Sequence, residues 1–491
     1  MSRASIYWLV NGGFMLLLTV GAVLGSASNI HIVYLALLFA VCTTPIFNST
    51  AFNDRYALLV IFSAIYFQFF GTLDLITLFR GIGETAGFIS KSEVVILIGG
   101  VLTQVFYRVV ARNPVELRAA PRKDWPERTL LIVGLSIWIV ATVLTWQFKV
   151  NIITGANAAA VTRGLESITA LQTIGYLLAN MMQPLGILII AYSQCRYQRW
   201  YLLPLLAITV VVQLMLGFVT DTKGEALIGA VLVVVTRLLV NGKIPKGWIL
   251  TIVIFIALAF PALQANRAIR GQDRLDSTDV AANIVGMIQK TFAKAEEVTT
   301  GTTRAQTVFE RMSLKGSVEM IVTRTGVDVP FQHGHTLSPL YAAFIPKIIW
   351  RDKPDVQTGQ LVNKEFKLSV HTFTYISPSH LGEMYWNYGW PGALIGMSLL
   401  GCVLGFIGRA IDMVDGASIT QLMIAAITVR QMLLGFESTI AACYVVWLRS
   451  AAFILLLHWL LARVVRSTGS PASEATKPTI PIPCARSNLM R

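Results

Sequence analysis

The feature that most limits what this chain can become is a succession of apolar runs, each about 20 residues long, parted by short charged or Gly/Pro-containing breaks. About 20 mostly apolar residues are needed for a helix to cross the hydrocarbon of a bilayer. Inside lipid the backbone must satisfy itself, which leaves helices and closed barrels. The runs fall at about 6–25, 30–47, 56–79, 93–110, 129–148, 170–192, 201–220, 224–240, 246–264, 391–411, 416–434 and 441–465. They predict an all-α polytopic membrane protein with about twelve transmembrane helices. Composition agrees: 13% of the 491 residues are charged, against about 25% in an ordinary soluble domain. Arg3 followed by Ile6–Gly25 imitates a secretory leader. That run is longer than the usual leader core of about 7–15 residues, so it is read as a retained first helix.

The formal net charge of +14 is explained by membrane topology, without nucleic acid. Arg112, Arg118, Arg122, Lys123 and Arg128 follow the fourth run, Arg196 and Arg199 the sixth, and Lys243 and Lys246 the eighth; Arg463, Arg466, Lys477, Arg486 and Arg491 lie in the tail. With alternating helices these all fall on one side. The positive-inside rule then places both termini in the cytoplasm and the long segment 265–388 on the outer face. The expected organisation is a membrane region over 1–264 (nine helices), a large periplasmic loop with short helices over 265–388, a second membrane region over 389–466, and a disordered cytoplasmic tail over 467–491. Within the loop, 281–298 and 304–325 read as helices, the latter with Val308, Met312 and Leu314 as apolar candidates. The patch 338–350, broken by Pro346, is too short to span. Cys42, Cys195, Cys402, Cys443 and Cys484 have no metal-ligand spacing, and none lies in the loop.

Ionisable residues near membrane depth carry the functional signal, because each costs about 2.5–3.5 kcal/mol at a helix centre. Several gather at the expected outer boundary: Asp74, Asp221, Lys223, Glu225, Arg267, Arg270, Arg430, Glu437 and Arg449. Arg267 and Arg270 share one helix face, a spacing that suits bidentate binding of a diphosphate or plain snorkelling. Arg449 lies about eight residues into its run, roughly 12 Å deep, where snorkelling is costly. His333, His335, His371 and His380 lie in the loop. No acidic or cysteine set accompanies them, so neither a metal nor a cofactor is expected, and acid/base use is the functional reading. Glu383 precedes the tenth run among apolar and aromatic neighbours. It suits a general base or the cap of a helix.

The stretch from Gly334 to Gly405 resembles the Wzy-type oligosaccharide repeat-unit polymerases of bacteria. The resemblance is carried by GHTLSPLYAAFIPKIIWRDKPDVQTGQ and SPSHLGEMYWNYGWPGALIGMSLLG, with Lys347 where arginine is common in the family. The turn DTKGEAL is similar to the family's Arg-Gly turn, with Lys223 in place of arginine. The resemblance implies a metal-independent glycosyltransferase of O-antigen or exopolysaccharide biosynthesis, related to O-antigen ligases and GT-C enzymes. Such an enzyme moves a growing glycan from undecaprenyl diphosphate onto the next lipid-linked repeat unit, at the outer face of the bacterial inner membrane. A chain-length regulator and a flippase are the expected protein partners. On this reading Arg267, Arg270, Arg449 and Lys223 hold the diphosphate, and Glu383 or His335 is the base. A ligase with a different acceptor would carry the same charge map. A lipid-linked oligosaccharide flippase would instead spread charges through midplane cavities.

Overall fold

The computed structural model describes residues 3–25, 29–48, 54–79, 89–112, 126–150, 170–219, 223–242, 246–247, 250, 313–342, 345, 350, 358–368, 376–413 and 418–467. Every regular element among them is helical, beside one isolated bridge between Thr325 and Val329. The α-helices of at least eight residues are α1 (Arg3–Gly25), α2 (Asn29–Asn48), α3 (Ala57–Phe70), α4 (Thr72–Phe79), α5 (Lys91–Ala111), α6 (Glu127–Thr145), α7 (Ala170–Tyr197), α8 (Leu202–Val219) and α9 (Lys223–Asn241). They continue with α10 (Lys315–Arg324), α11 (Thr358–Phe366), α12 (Ser379–Ala410), α13 (Ile419–Thr428) and α14 (Ile440–Ser467).

Five described helical stretches are long and apolar enough to cross a membrane: Lys91–Ala111, Glu127–Phe148, Ser379–Ala410, Ile419–Glu437 and Ile440–Leu460. The pair α3 and α4 makes a sixth if its 46° bend lies within one span. Shorter apolar helices cover Ser5–Gly21, Ile32–Ile46, Leu202–Gly217 and Ala226–Asn241. Leu16, Val109, Ile132, Val143, Ile395 and Phe406 all point outward and are exposed. A water-soluble bundle keeps its outer faces polar, so these faces belong against lipid. The chain is a membrane protein, all-helical among its described residues. The expected run at 246–264 lies almost wholly outside the described residues, as do the loop helix at 281–298 and the tail beyond 467.

Close packing fixes the bundle. α12 lies along α5, where a Cβ on Gly405 would sit 2.9 Å from the Tyr107 carbonyl and one on Gly401 3.0 Å from the Thr103 Cα. Small residues let the two backbones approach, which is how membrane helices associate without a hydrophobic drive between them. The Thr103 hydroxyl uses that approach to donate to the Met397 carbonyl at 3.1 Å. α6 and α7 meet likewise: a Cβ on Gly186 would lie 2.8 Å from the Trp138 backbone. The described cysteines Cys42, Cys195, Cys402 and Cys443 are unpaired.

Of the expected loop helix 304–325, the described part is α10. Leu314, at its N-terminus, is buried as its apolar character asks, whereas Val308 and Met312 lie outside the described residues. The Leu314 N–H donates to the Phe69 carbonyl at the end of α3, 3.0 Å away. Segment 313–324 is therefore built onto the bundle.

Candidate functional site

The site begins with a broken helix. α12 leaves helical geometry at Tyr388 (φ −139°, ψ 15°) and Gly389 (φ 62°, ψ −139°), and Pro391 follows. Proline has no N–H, so the Asn387 carbonyl loses its helical partner four residues on. The gap is filled from a distant part of the chain. Gln332 and His333 donate their backbone N–H groups to the carbonyls of Trp386 and Asn387, each at 3.1 Å. To make that contact the loop turns through two left-handed residues, His333 (φ 47°) and Gly334 (φ 88°). Asn387 completes the joint. Its Oδ1 accepts the Gly334 N–H at 2.8 Å, and its Nδ2 donates to the Thr336 hydroxyl at 2.7 Å and to the Glu383 carbonyl at 2.8 Å.

One turn N-terminal to that joint stands Glu383, with no exposed surface. Its Oε2 accepts the N–H of Ile440, the first residue of α14, at 2.6 Å. The Thr336 hydroxyl is a second neighbour of the carboxylate. A carboxylate on a helix N-terminus meets unpaired N–H groups and the positive end of the helix dipole. Glu383 thus joins α12, the 332–337 loop and α14. His380 precedes it by one turn and is 3% exposed, its ring 5.1 Å from Phe436 and 5.8 Å from Tyr444 between centroids. His335 opens a short 3-10 turn (His335–Leu337) and is exposed, beside the buried Thr336.

The link between α13 and α14 forms the other wall. Val429–Leu433 is a π turn and Leu434–Glu437 a 3-10 turn. Phe436, from the second, lies edge-on to Phe62, Tyr66 and Phe70. The Ser377 hydroxyl donates to the Glu437 carbonyl, and the Cys443 thiol to the Gly435 carbonyl at 2.9 Å. Arg430 donates to the Asn180 carbonyl of α7 at 3.0 Å. Pro184 cannot supply that carbonyl with its helical N–H, so the guanidinium fills a backbone gap in the bundle.

A second, partly buried polar cluster was not legible in the sequence. Lys315 Nζ pairs with Asp74 of α4 and, at 2.7 Å, with Glu93 of α5, and sits 4.7 Å from the Tyr34 ring centroid. Glu93 also accepts the Ser90 N–H at 2.8 Å as part of the capping box that starts α5. Burial opposes the Lys315 charge, but Asp74 and Glu93 outweigh it and raise the ammonium above the ordinary lysine range. Arg324, at the other end of α10, grips Asp328 (Nε at 2.8 Å, Nη2 at 2.5 Å) and donates to the Phe366 carbonyl of α11 at 2.6 Å.

Of the six residues singled out from the sequence, Glu383 and His335 are brought to one joint, on either side of Thr336. Arg449 is partly buried on α14, nine residues past Ile440, or about 14 Å along the helix axis. Lys223 is the first residue of α9. Arg267 and Arg270 lie outside the described residues, as do Lys347, Asp221 and His371. His380 was foreseen as one of four loop histidines, yet it is buried inside a helix. The chain matches no family model, no curated protein and no solved structure.

Proposed function

We propose that this chain polymerises lipid-linked oligosaccharide repeat units. In the proposed reaction an acceptor sugar hydroxyl attacks the anomeric carbon of a glycan carried on undecaprenyl diphosphate. The new carbon–oxygen bond forms, the bond to the diphosphate oxygen breaks, and the hydroxyl proton passes to a base. The carrier leaves as the diphosphate, so the reaction needs neither redox cofactor nor nucleotide sugar.

One observation carries the reading. The two runs that resemble the Wzy-type polymerases, 334–360 and 377–401, are separate in sequence and are knitted together by the bonds from Asn387 to Gly334 and Thr336, 53 and 51 residues before it. Both proposed bases, Glu383 and His335, belong to that joint. A base must lie within hydrogen-bond reach of the hydroxyl it deprotonates. His335 is open to an incoming sugar, whereas Glu383 needs the α13–α14 link to move aside. Arg449, deeper along α14, suits a donor whose diphosphate lies below its reacting sugar. Arg267, Arg270 and Lys223 are the further diphosphate ligands proposed.

The wider setting is part of the same proposal. It comprises about twelve transmembrane helices, both termini in the cytoplasm, the 265–388 segment on the periplasmic face of the bacterial inner membrane, and a flippase and chain-length regulator as partners. The test is deletion of the gene in its host. Single repeat units should accumulate on carrier lipid and polymer should vanish. Long polymer stranded on the carrier would point to a ligase, and absence of any glycan phenotype would overturn the reading.

A further inference from the structure

His380 presents a problem that packing does not solve. Its imidazole is buried between Phe436 and Tyr444, and neither ring nitrogen has a hydrogen-bond partner among the described residues. Native proteins leave few buried polar groups unpaired, and each exception asks for an explanation. An aromatic box alone would be filled as well by phenylalanine, without two stranded nitrogens. The position supplies a second observation. His380 and Glu383 are three residues apart on α12 and so share one face. That face is covered by one stretch of chain: Phe436 lies over the histidine, and Ile440 bonds the carboxylate.

The cover departs from α-helical winding. Residues 429–437 form a π turn followed by a 3-10 turn. Such departures from α-helical winding mark hinges and functional sites. Rewinding this link would withdraw Phe436 and release the Glu383 carboxylate from Ile440, the first residue of α14. A neutral imidazole offers one donor and one acceptor, and a sugar hydroxyl has the complementary pair.

We propose that His380 is a second polar group of the acceptor site, binding the acceptor sugar hydroxyl and orienting it toward Glu383 once the 434–440 link moves aside. The inference rests on the polymerase reading. In this arrangement Glu383, one of the two proposed bases, takes the hydroxyl proton, and His380 holds the oxygen in line with the anomeric carbon.

The test uses the full-length protein in lipid nanodiscs. The probe is the carrier-lipid oligosaccharide that accumulates in cells lacking this gene. His380→Phe keeps the ring and its packing, so thermal unfolding should match wild type, while kcat falls on the order of 100-fold. His380→Gln restores a donor and an acceptor and should recover part of that loss. His380→Met serves as the apolar variant, read in the same way, should His380→Phe misfold. Wild-type kcat and KM in a folded apolar variant would overturn the role of His380 and leave the polymerase reading standing. A wild-type protein that joins no units would overturn both.

Discussion

Asn387 and Gly334 are 53 residues apart, yet the Asn387 Oδ1 accepts the Gly334 N–H at 2.8 Å at the point where α12 breaks. The break frees helix carbonyls and the loop supplies the missing N–H groups, so helix and loop each complete the other. A side chain with one acceptor and two donors, all engaged, is the pin of that joint. Asn387→Ala removes all three bonds and leaves buried partners unsatisfied, a cost of about 1–3 kcal/mol for the group left worst off. Amide hydrogen exchange at 333–337 should accelerate, with global unfolding less affected. Unchanged protection there would show that the backbone bonds from Gln332 and His333 suffice.

Gly389 holds a backbone conformation (φ 62°, ψ −139°) that side-chain-bearing residues rarely adopt. A Cβ there would also come 3.3 Å from the Phe331 ring. Gly389→Ala should destabilise by about 1–3 kcal/mol, measured as a lower unfolding temperature in detergent. A variant as stable as wild type would mean that the helix straightens at no cost.

Glu383 has two separable duties, capping α14 and proton transfer. Glu383→Gln keeps a carbonyl oxygen for the Ile440 N–H and should lie within about 1 kcal/mol of wild-type stability. Glu383→Ala strands that N–H and should cost about 1–3 kcal/mol. Both variants should lose activity by about 100-fold or more if Glu383 is the base. If Glu383→Gln polymerises normally while His335→Ala does not, the exposed histidine is the base.

The Lys315 cluster sets one positive charge against two carboxylates, with only 12% of the lysine side chain exposed. Lys315→Met leaves Asp74 and Glu93 facing each other, which should destabilise by about 3–5 kcal/mol. Adding Asp74→Asn should return part of that. Because the folded state raises the lysine pKa, its stabilisation is complete below the ordinary lysine value and is lost only as pH rises through the higher folded value. The unfolding temperature should therefore show no Lys315-dependent fall between pH 6 and pH 9, compared with Lys315→Met. A double variant no more stable than Lys315→Met would sink the pairing.

Much of the bundle was readable because span length is a hard constraint. Runs at 6–25, 93–110 and 441–465 correspond to α1, α5 and α14 within a few residues. The bend at Gly71 was hidden inside one apolar run, since Gly71, Thr72, Asp74 and Thr77 are too scattered in FFGTLDLITLF to part it. The run expected from 391 matches the part of α12 past its break at Tyr388 and Gly389; the part from Ser379 went unread because His380, Glu383 and Asn387 fell in the expected loop. Their burial depends on Thr336, Phe436 and Ile440, which no local pattern reveals. The Lys315 cluster was invisible for the same reason: Asp74 is 241 residues away and Glu93 is 222. Of the three, Asp74 alone stood out, as an ionisable residue at the outer end of the third apolar run.

The most direct measurement reconstitutes the purified full-length protein in liposomes with the carrier-lipid oligosaccharide from gene-deleted cells, and resolves the products by gel. A polymerase yields a ladder of lengths that are multiples of one repeat unit, formed without nucleotide sugar. Only the starting single unit, with added flippase and chain-length regulator still giving no ladder, would contradict the polymerase reading.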